Sequence, residues 1–320
     1  MKRLVACFVT SVAALLFAVP ALAQYPNKPV RIVVPFPAGS ATDTITRILG
    51  QSVSAAVGQP MIVDNKAGAD GAIAGAEVAK AAPDGYTLLM ATNSPMAVVP
   101  AMKKVPPYDP VADFTPITDI GRYTFFLYVN AELPVKSFRE LVAYAKANPG
   151  KLNYATGNTT GIVSFAQMNS LAGIDMTHVP YKGEPQGITD LVVGRVQAMW
   201  ATPTTGLPHV KDGKLRAIAT NLKTRSALLP EVPTMAEVGI PQYSVVSWAA
   251  LYGPAKLPRE LVLRLNKEFT DAMKRPDVIA LMDKQAFPMT PSTPEELGAF
   301  TRAQMEAYRK ILVMAGVQPE

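Results

Sequence analysis

Two stretches of this chain alternate short aliphatic runs with apolar stripes of helical period, and that alternation is the strongest constraint on its fold. Val30–Val34, VRIVV, is aliphatic but for Arg31 and reads as a buried strand. Ile45, Ile48, Leu49 and Val53 then recur at the spacing of one helix face until Gly58-Gln59-Pro60 stops them. A run at 61–64, a loop at 65–71, an alanine-rich helix to Ala82, a Pro83-Asp84-Gly85 turn and a run at 86–90 follow. Strand, helix, strand, helix, strand in that order predicts a parallel sheet with helices on its faces.

A passage containing Pro95, Pro100, Pro106, Pro107, Pro110 and Pro116 interrupts the pattern, which restarts with a strand at 124–129. Ser137 and Glu140 then form the capping box of a helix that Pro149-Gly150 closes. Strands at 152–155, 176–179, 196–200 and 215–219, with helices from near Ile162 and near Pro185, complete a second α/β unit. The tail offers a strand at 244–252 and helices at 258–274 and 294–315, the last with Thr293 as cap and Pro294 at its first position. One strand cannot make a sheet, so the tail is expected to return to the first unit. The chain then crosses between units near 119–127 and 242–250, giving two doubly wound α/β domains joined by two crossing strands, with a hinged cleft between them. The expected boundaries are a leader at 1–23, a first domain at 24–123 plus 245–320, and a second at 124–244.

The leader is read from Lys2 and Arg3, the apolar run at 4–19 and Ala21-Leu22-Ala23, the pattern of an export signal with a small-residue cleavage site. The remainder is expected in the periplasm and not embedded in a membrane, since no later segment approaches a span. The single cysteine, Cys7, lies inside the leader, so disulfides and thiol chemistry are not expected. Net charge is +6, of which Lys2 and Arg3 supply two, and no basic cluster points to nucleic acid. His178 and His209 are the only histidines; no metal-ligand spacing, GxSxG elbow or GxxxxGK phosphate loop occurs. An enzyme, a metal centre and a bound cofactor are therefore not expected.

In open parallel sheets ligands bind beyond the carboxyl ends of the strands, where loops lead into helix openings. That rule nominates the loops 35–42, 65–71 and 91–95 in the first unit and 156–161, 181–184 and 200–205 in the second, bringing in Trp200 and Thr202. They read PFPAGSAT, NKAGADG, ATNSP, TGNTTG, YKGE and WATPTT, rich in Gly, Ser, Thr and Asn. Such loops present N–H groups, hydroxyls and amides, and helix openings add a partial positive charge worth about 0.3–1 kcal/mol to an anion. Charge-assisted hydrogen bonds contribute roughly 1.5–3 kcal/mol each, so four or five reach the −8 kcal/mol or so of micromolar affinity after ordering costs, without a buried arginine. The expected ligand is a small organic carboxylate.

PFPAGSATD, KAAPDGYTLLMATN (80–93), YDPVADFTPIT (108–118), AKANPGKLNYAT (145–156), HVPYKG (178–183) and LPEVPTMAEVGIP (229–241) closely resemble the substrate-binding proteins of tripartite tricarboxylate transporters, the Bug family. The resemblance runs in order through nearly the whole chain after the leader. It implies a periplasmic binding protein-like receptor that closes on a di- or tricarboxylate, an acidic amino acid or an aromatic acid and delivers it to membrane permease subunits; a monomer is expected. Presentation of ligand to a signalling sensor is the alternative. Carried over by position, the family's clamping loops nominate Phe36, Ala38, Gly39, Ser40, Thr42, Asn93 and Ser94 on one wall and Asn158, Thr159, Thr160 and Ser164 on the other.

Three departures bear on the ligand. Ser40 stands where many members have a second glycine, and either donates to the ligand or merely tolerates the turn. Ala201 stands where many have an aspartate, so a ligand without an amino group is expected. Tyr123, Phe125 and Phe126, with Trp200, enrich the crossing in aromatics, which suits an aromatic dicarboxylate unless they simply pack the hinge. Asp43 is expected to open its helix, not to meet a carboxylate it would repel. Lys182 is a candidate partner for the far end of a diacid, against the commoner reading of a surface lysine.

Overall fold

In the computed structural model, which describes residues 25–314, Val30–Val34 forms strand β1, buried at four of its five positions. Alternate side chains serve opposite faces, as the two-residue period of a strand requires. Val30, Ile32 and Val34 join Ile45, Leu49 and Val53 of helix α1 (Ala41–Val57), while Val33 joins Ala74 and Val78 of α2 (Ala72–Ala79). Coverage of both faces explains why four of its five residues are buried aliphatics; the exception, Arg31, pairs with Asp64 and Glu77.

Strands β2 (Met61–Asn65) and β3 (Thr87–Thr92) flank β1 in parallel. The tail strand, numbered β10 in chain order (Ser247–Pro254), lies antiparallel between β3 and β4 (Phe114–Tyr123), giving the order β2-β1-β3-β10-β4. The first sheet is thus mixed, where the sequence pattern predicts a parallel one. Strand β4 is not foreseen, because Pro116 reads as a breaker. It is tolerated because β4 is the sheet edge and its pairing with β10 is irregular between Leu251 and Tyr252, where Pro116 sits opposite Tyr252.

The second sheet contains β5 (Phe126–Asn130), β6 (Asn153–Thr156), β7 (Thr177–Pro180), β8 (Ala198–Ala201) and β9 (Leu215–Thr220), in the order β7-β6-β8-β5-β9. Strand β6 runs parallel to β7 and β8, and β5 antiparallel to β8 and β9. Helices α4 (Phe138–Ala147), α5 (Thr159–Ala172), α6 (Glu184–Val192) and α7 (Pro203–Lys211) belong to this part of the chain. Ser137 caps α4 as expected, accepting the Glu140 N–H at 3.2 Å. The Glu140 carboxylate accepts from Lys136 N at 2.8 Å, one residue earlier than in the usual box.

Only Thr124 and Phe125 separate β4 from β5, and residues 221–246 carry the chain back to β10. Helices α8 (Arg259–Met273), α9 (Pro276–Asp283) and α10 (Pro294–Met314) follow. The last opens with a reciprocal capping box, Glu296 N to Thr293 Oγ1 at 3.2 Å and Thr293 N to Glu296 Oε2 at 2.8 Å. Helix α9 and the wide turn Ser94–Val98 leading into α3 (Val99–Met102) are absent from the sequence reading. The anticipated leader lies outside the described residues, and among those described no helix is long and apolar enough to cross a membrane.

Candidate functional site

The PFPAGS loop ends at Ser40, whose extended backbone and hydroxyl cap α1 by accepting the Asp43 N–H at 3.3 Å. Gly39 makes the turn with φ of 79°, a left-handed value that disfavours a side chain. Asp43 closes the motif from within. Its carboxylate accepts from Gly39 N, Arg47 Nε and Asn65 Nδ2, each at 3.0 Å. Burial works against the charged form, but these donors outweigh it and hold the carboxyl below its ordinary range. As expected, Asp43 braces the helix opening and does not line the cleft.

On the facing side, β6 gives way to Gly157 and Asn158. Asn158 caps α5, its Oδ1 accepting from Gly161 N at 2.9 Å. A methyl group on Gly157 would stand 2.3 Å from the backbone nitrogen of Glu184, so this turn and the start of α6 meet backbone to backbone. That approach delivers Glu184 to the cleft, buried to 5% exposure. Its Oε2 accepts from Thr202 N at 3.1 Å, Thr202 Oγ1 at 2.6 Å and Thr205 Oγ1 at 3.0 Å; its Oε1 accepts from Asn158 Nδ2 at 3.2 Å. Burial pushes the Glu184 carboxyl above its ordinary range, against the pull of these hydrogen bonds.

Between the two sides lies a cavity of about 20 Å³, room for roughly one water molecule. The first sheet's part of the chain lines it with Phe36, Ser40, Ala41, Thr42, Thr92, Ser94, Tyr123 and Ser247, the crossing with Phe125, and the second with Gly157, Asn158, Thr160, Glu184 and Thr202. The openings of α1, α5, α6 and α7 all contribute, and no Lys or Arg does. Direct bonds tie the walls together: Asn93 Nδ2 to Thr160 Oγ1 and Thr159 Oγ1 to Ser94 Oγ, both at 2.7 Å. Asn93 is fixed from behind by Ser247 Oγ, which donates to its Oδ1 at 2.7 Å. The two lobes are therefore shut against each other in this conformation.

Of the residues nominated by sequence, Phe36, Ser40, Thr42, Ser94, Asn158, Thr160 and Thr202 line the cavity. Asn93 and Thr159 are buried just behind the lining, in the bonds that join the walls. Ala38 and Gly39 are exposed on the turn, which requires Gly39 for its φ. Ser164 is buried in α5 and Trp200 in β8, the latter stacked on Tyr243 with ring centroids 5.5 Å apart; neither reaches the lining. Tyr123 and Phe125 do reach it, whereas Phe126 turns to the opposite face and packs with Ile188 and Leu191. Lys182 is exposed.

Ala41, Thr92, Gly157 and Glu184 lie within the nominated loops without being singled out, and Ser247 lies outside them. Ser247 has no loop signal, because it sits on β10 and reaches the cleft through strand pairing. Glu184 does have one, ending the nominated YKGE loop. It also gives the cavity an acid although position 201 is alanine: α6 supplies it, with Oε2 2.6 Å from the hydroxyl of the residue after Ala201, Thr202.

Residues 45–316 match the family model described as the tripartite tricarboxylate transporter family receptor. Protein BugT of Bordetella pertussis is 32% identical over 325 residues, covering 99% of this chain and 99% of its own. Among solved structures, R. palustris Rpa4515 with adipate is 31% identical at a TM-score of 0.89, over 92% of this chain and 100% of the other. MatC from Rhodopseudomonas palustris with bound malate is 28% identical at a TM-score of 0.85, over 90% and 100%. With the family model spanning most of the sequence and the relatives aligned nearly end to end, the chain belongs to the tripartite tricarboxylate transporter receptor family, the periplasmic binding proteins that include the Bug proteins.

Proposed function

We propose that the protein is a periplasmic receptor that captures a small organic carboxylate between its two α/β lobes and delivers it to a membrane permease, itself remaining free of the membrane and catalysing no reaction. The observation that carries this reading is the composition of the cavity wall. Four helix openings converge on one space that contains hydroxyls, amides, one buried carboxyl, that of Glu184, and no cationic side chain. Such a wall suits an anion through dipoles and neutral donors. The adipate and malate in the two related structures agree with that chemistry.

The cross-lobe bonds suggest how ligand and closure are coupled. In the shut form Asn93, Ser94, Thr159 and Thr160 satisfy one another. These are neutral bonds, worth about 0.5–1.5 kcal/mol each, against roughly 1.5–3 kcal/mol for bonds to a charged group. A carboxylate that takes over those donors favours the closed form by the difference. Because the cavity of about 20 Å³ is smaller than any such ligand, the lobes must part to admit it, with Thr124-Phe125 and the crossing just before β10, near 242–246, as the hinge. We assign 24–123 with 245–320 to one lobe and 124–244 to the other.

A thermal-shift screen of aliphatic, hydroxylated and aromatic mono-, di- and tricarboxylates tests the reading. A saturable rise in melting temperature with at least one of them is expected. No rise with any organic acid would overturn it.

A further inference from the structure

Glu184 is the only carboxyl in the cavity wall, and the anion grip described above has no use for its charge. Its neighbours are neutral. Asn158, Thr202 and Thr205 donate to it, and the titratable groups facing it, Tyr123 on β4 and Tyr128 on β5, are buried phenols kept protonated by desolvation. The two oxygens are unequally satisfied: Oε2 has three donors, whereas Oε1 has one, at 3.2 Å. Each faces a group that can only donate, the Thr202 N–H or the Asn158 amide, which suits the acceptor-only carboxylate. Oε1 retains capacity for another donor. A ligand carboxylate placed against it would be repelled, and a hydroxyl or ammonium would complete it.

We propose that Glu184 sets the ligand chemistry of the cleft: the preferred carboxylate also carries a hydroxyl or ammonium, which Oε1 of Glu184 accepts while the acid group lies against the neutral donors of the other helix openings. This rests on the carboxylate reading and narrows it. A purely structural Glu184, tying α6 to the openings of α5 and α7, would stabilise the fold without discriminating among ligands.

Calorimetric titration with matched acids separates the two roles. One set is succinate, malate and aspartate; the other is glutarate, 2-hydroxyglutarate and glutamate. In the wild-type protein a donor-bearing acid should bind about tenfold or more tighter than its unsubstituted partner of the same length. In E184Q the side-chain oxygen keeps the Thr202 and Thr205 donors, the amide nitrogen replaces Oε1, and the ratio should collapse. Should E184Q lose its cooperative melt, 2-methoxysuccinate decides with the wild-type protein: it keeps the oxygen but not the donor, and should forfeit malate's advantage. Unsubstituted acids binding as tightly as their partners, a ratio that survives E184Q, or a methyl ether equal to malate would each overturn the proposal while leaving the carboxylate reading intact. Failure of every carboxylate to bind would instead remove that reading, and this one with it.

Discussion

Asn158 makes two contacts whose worth can be separated by substitution. Its Oδ1 caps α5 through Gly161 N at 2.9 Å, and its Nδ2 is, among the described residues, the only partner of Glu184 Oε1, at 3.2 Å. Removing a cap costs about 1 kcal/mol, within a range of roughly 0.5–2. Leaving a buried carboxylate oxygen without a partner costs about 1–3 kcal/mol. N158A should therefore destabilise by about 2–4 kcal/mol, a drop in melting temperature on the order of 3–6 °C for a chain of this size. N158S keeps a capping hydroxyl and loses only the Glu184 contact, so its deficit should be roughly half to three quarters as large. Thermal melts of the two variants, each also built on E184Q, form a double-mutant cycle. An N158A melt within 1 °C of wild type would refute the reasoning. So would an N158A deficit that is unchanged in the E184Q background, since that would mean the contact contributes nothing.

Two further outcomes follow from the bracing residues. Asn93 is fully buried and holds Thr160 across the cleft, so N93A should weaken the shut form, with a larger radius of gyration by small-angle scattering in the absence of ligand; an unchanged radius would count against the latch. Asp43 has its folded-state pKa held below the unfolded value of about 3.9. Its stabilisation is thus fully present above that value and lost as pH falls through the folded pKa. The melting deficit of D43N should be constant from pH 5 to pH 8 and shrink below pH 4, and a deficit that grows on acidification would reverse the assignment.

Much of this fold is legible because local signals agree with tertiary demand. Ile45, Leu49 and Val53 announce α1 by spacing, Ser137 and Thr293 announce helix openings by chemistry, and all pack or cap as those signals imply. Pro116 misleads for a physical reason. A proline forbids a central strand but not an irregular edge, and whether β4 would be an edge depends on β10, more than a hundred residues away. The cleft divides along similar lines. Ser40 and Asn158 sit at helix openings that local sequence reveals, whereas Ser247 reaches the cavity only because β10 slots between β3 and β4. Tyr123 and Phe125 flank the crossing, and a strand's alternation leaves their facing open until both sheets are built. Glu184 stands apart: the loop that holds it is found, but an expectation of neutral donors obscures a buried acid.

The central claim is that an organic anion is gripped from both lobes by neutral donors at helix openings. The most direct measurement is a crystal structure with a bound carboxylate, chosen as the acid that raises the melting temperature most. The account predicts its carboxylate oxygens within hydrogen-bond distance of the Ser40–Thr42 opening on one wall and the Asn158–Thr160 opening on the other. A ligand lodged outside the cleft, or one whose carboxylate is neutralised by a Lys or Arg side chain, would contradict it.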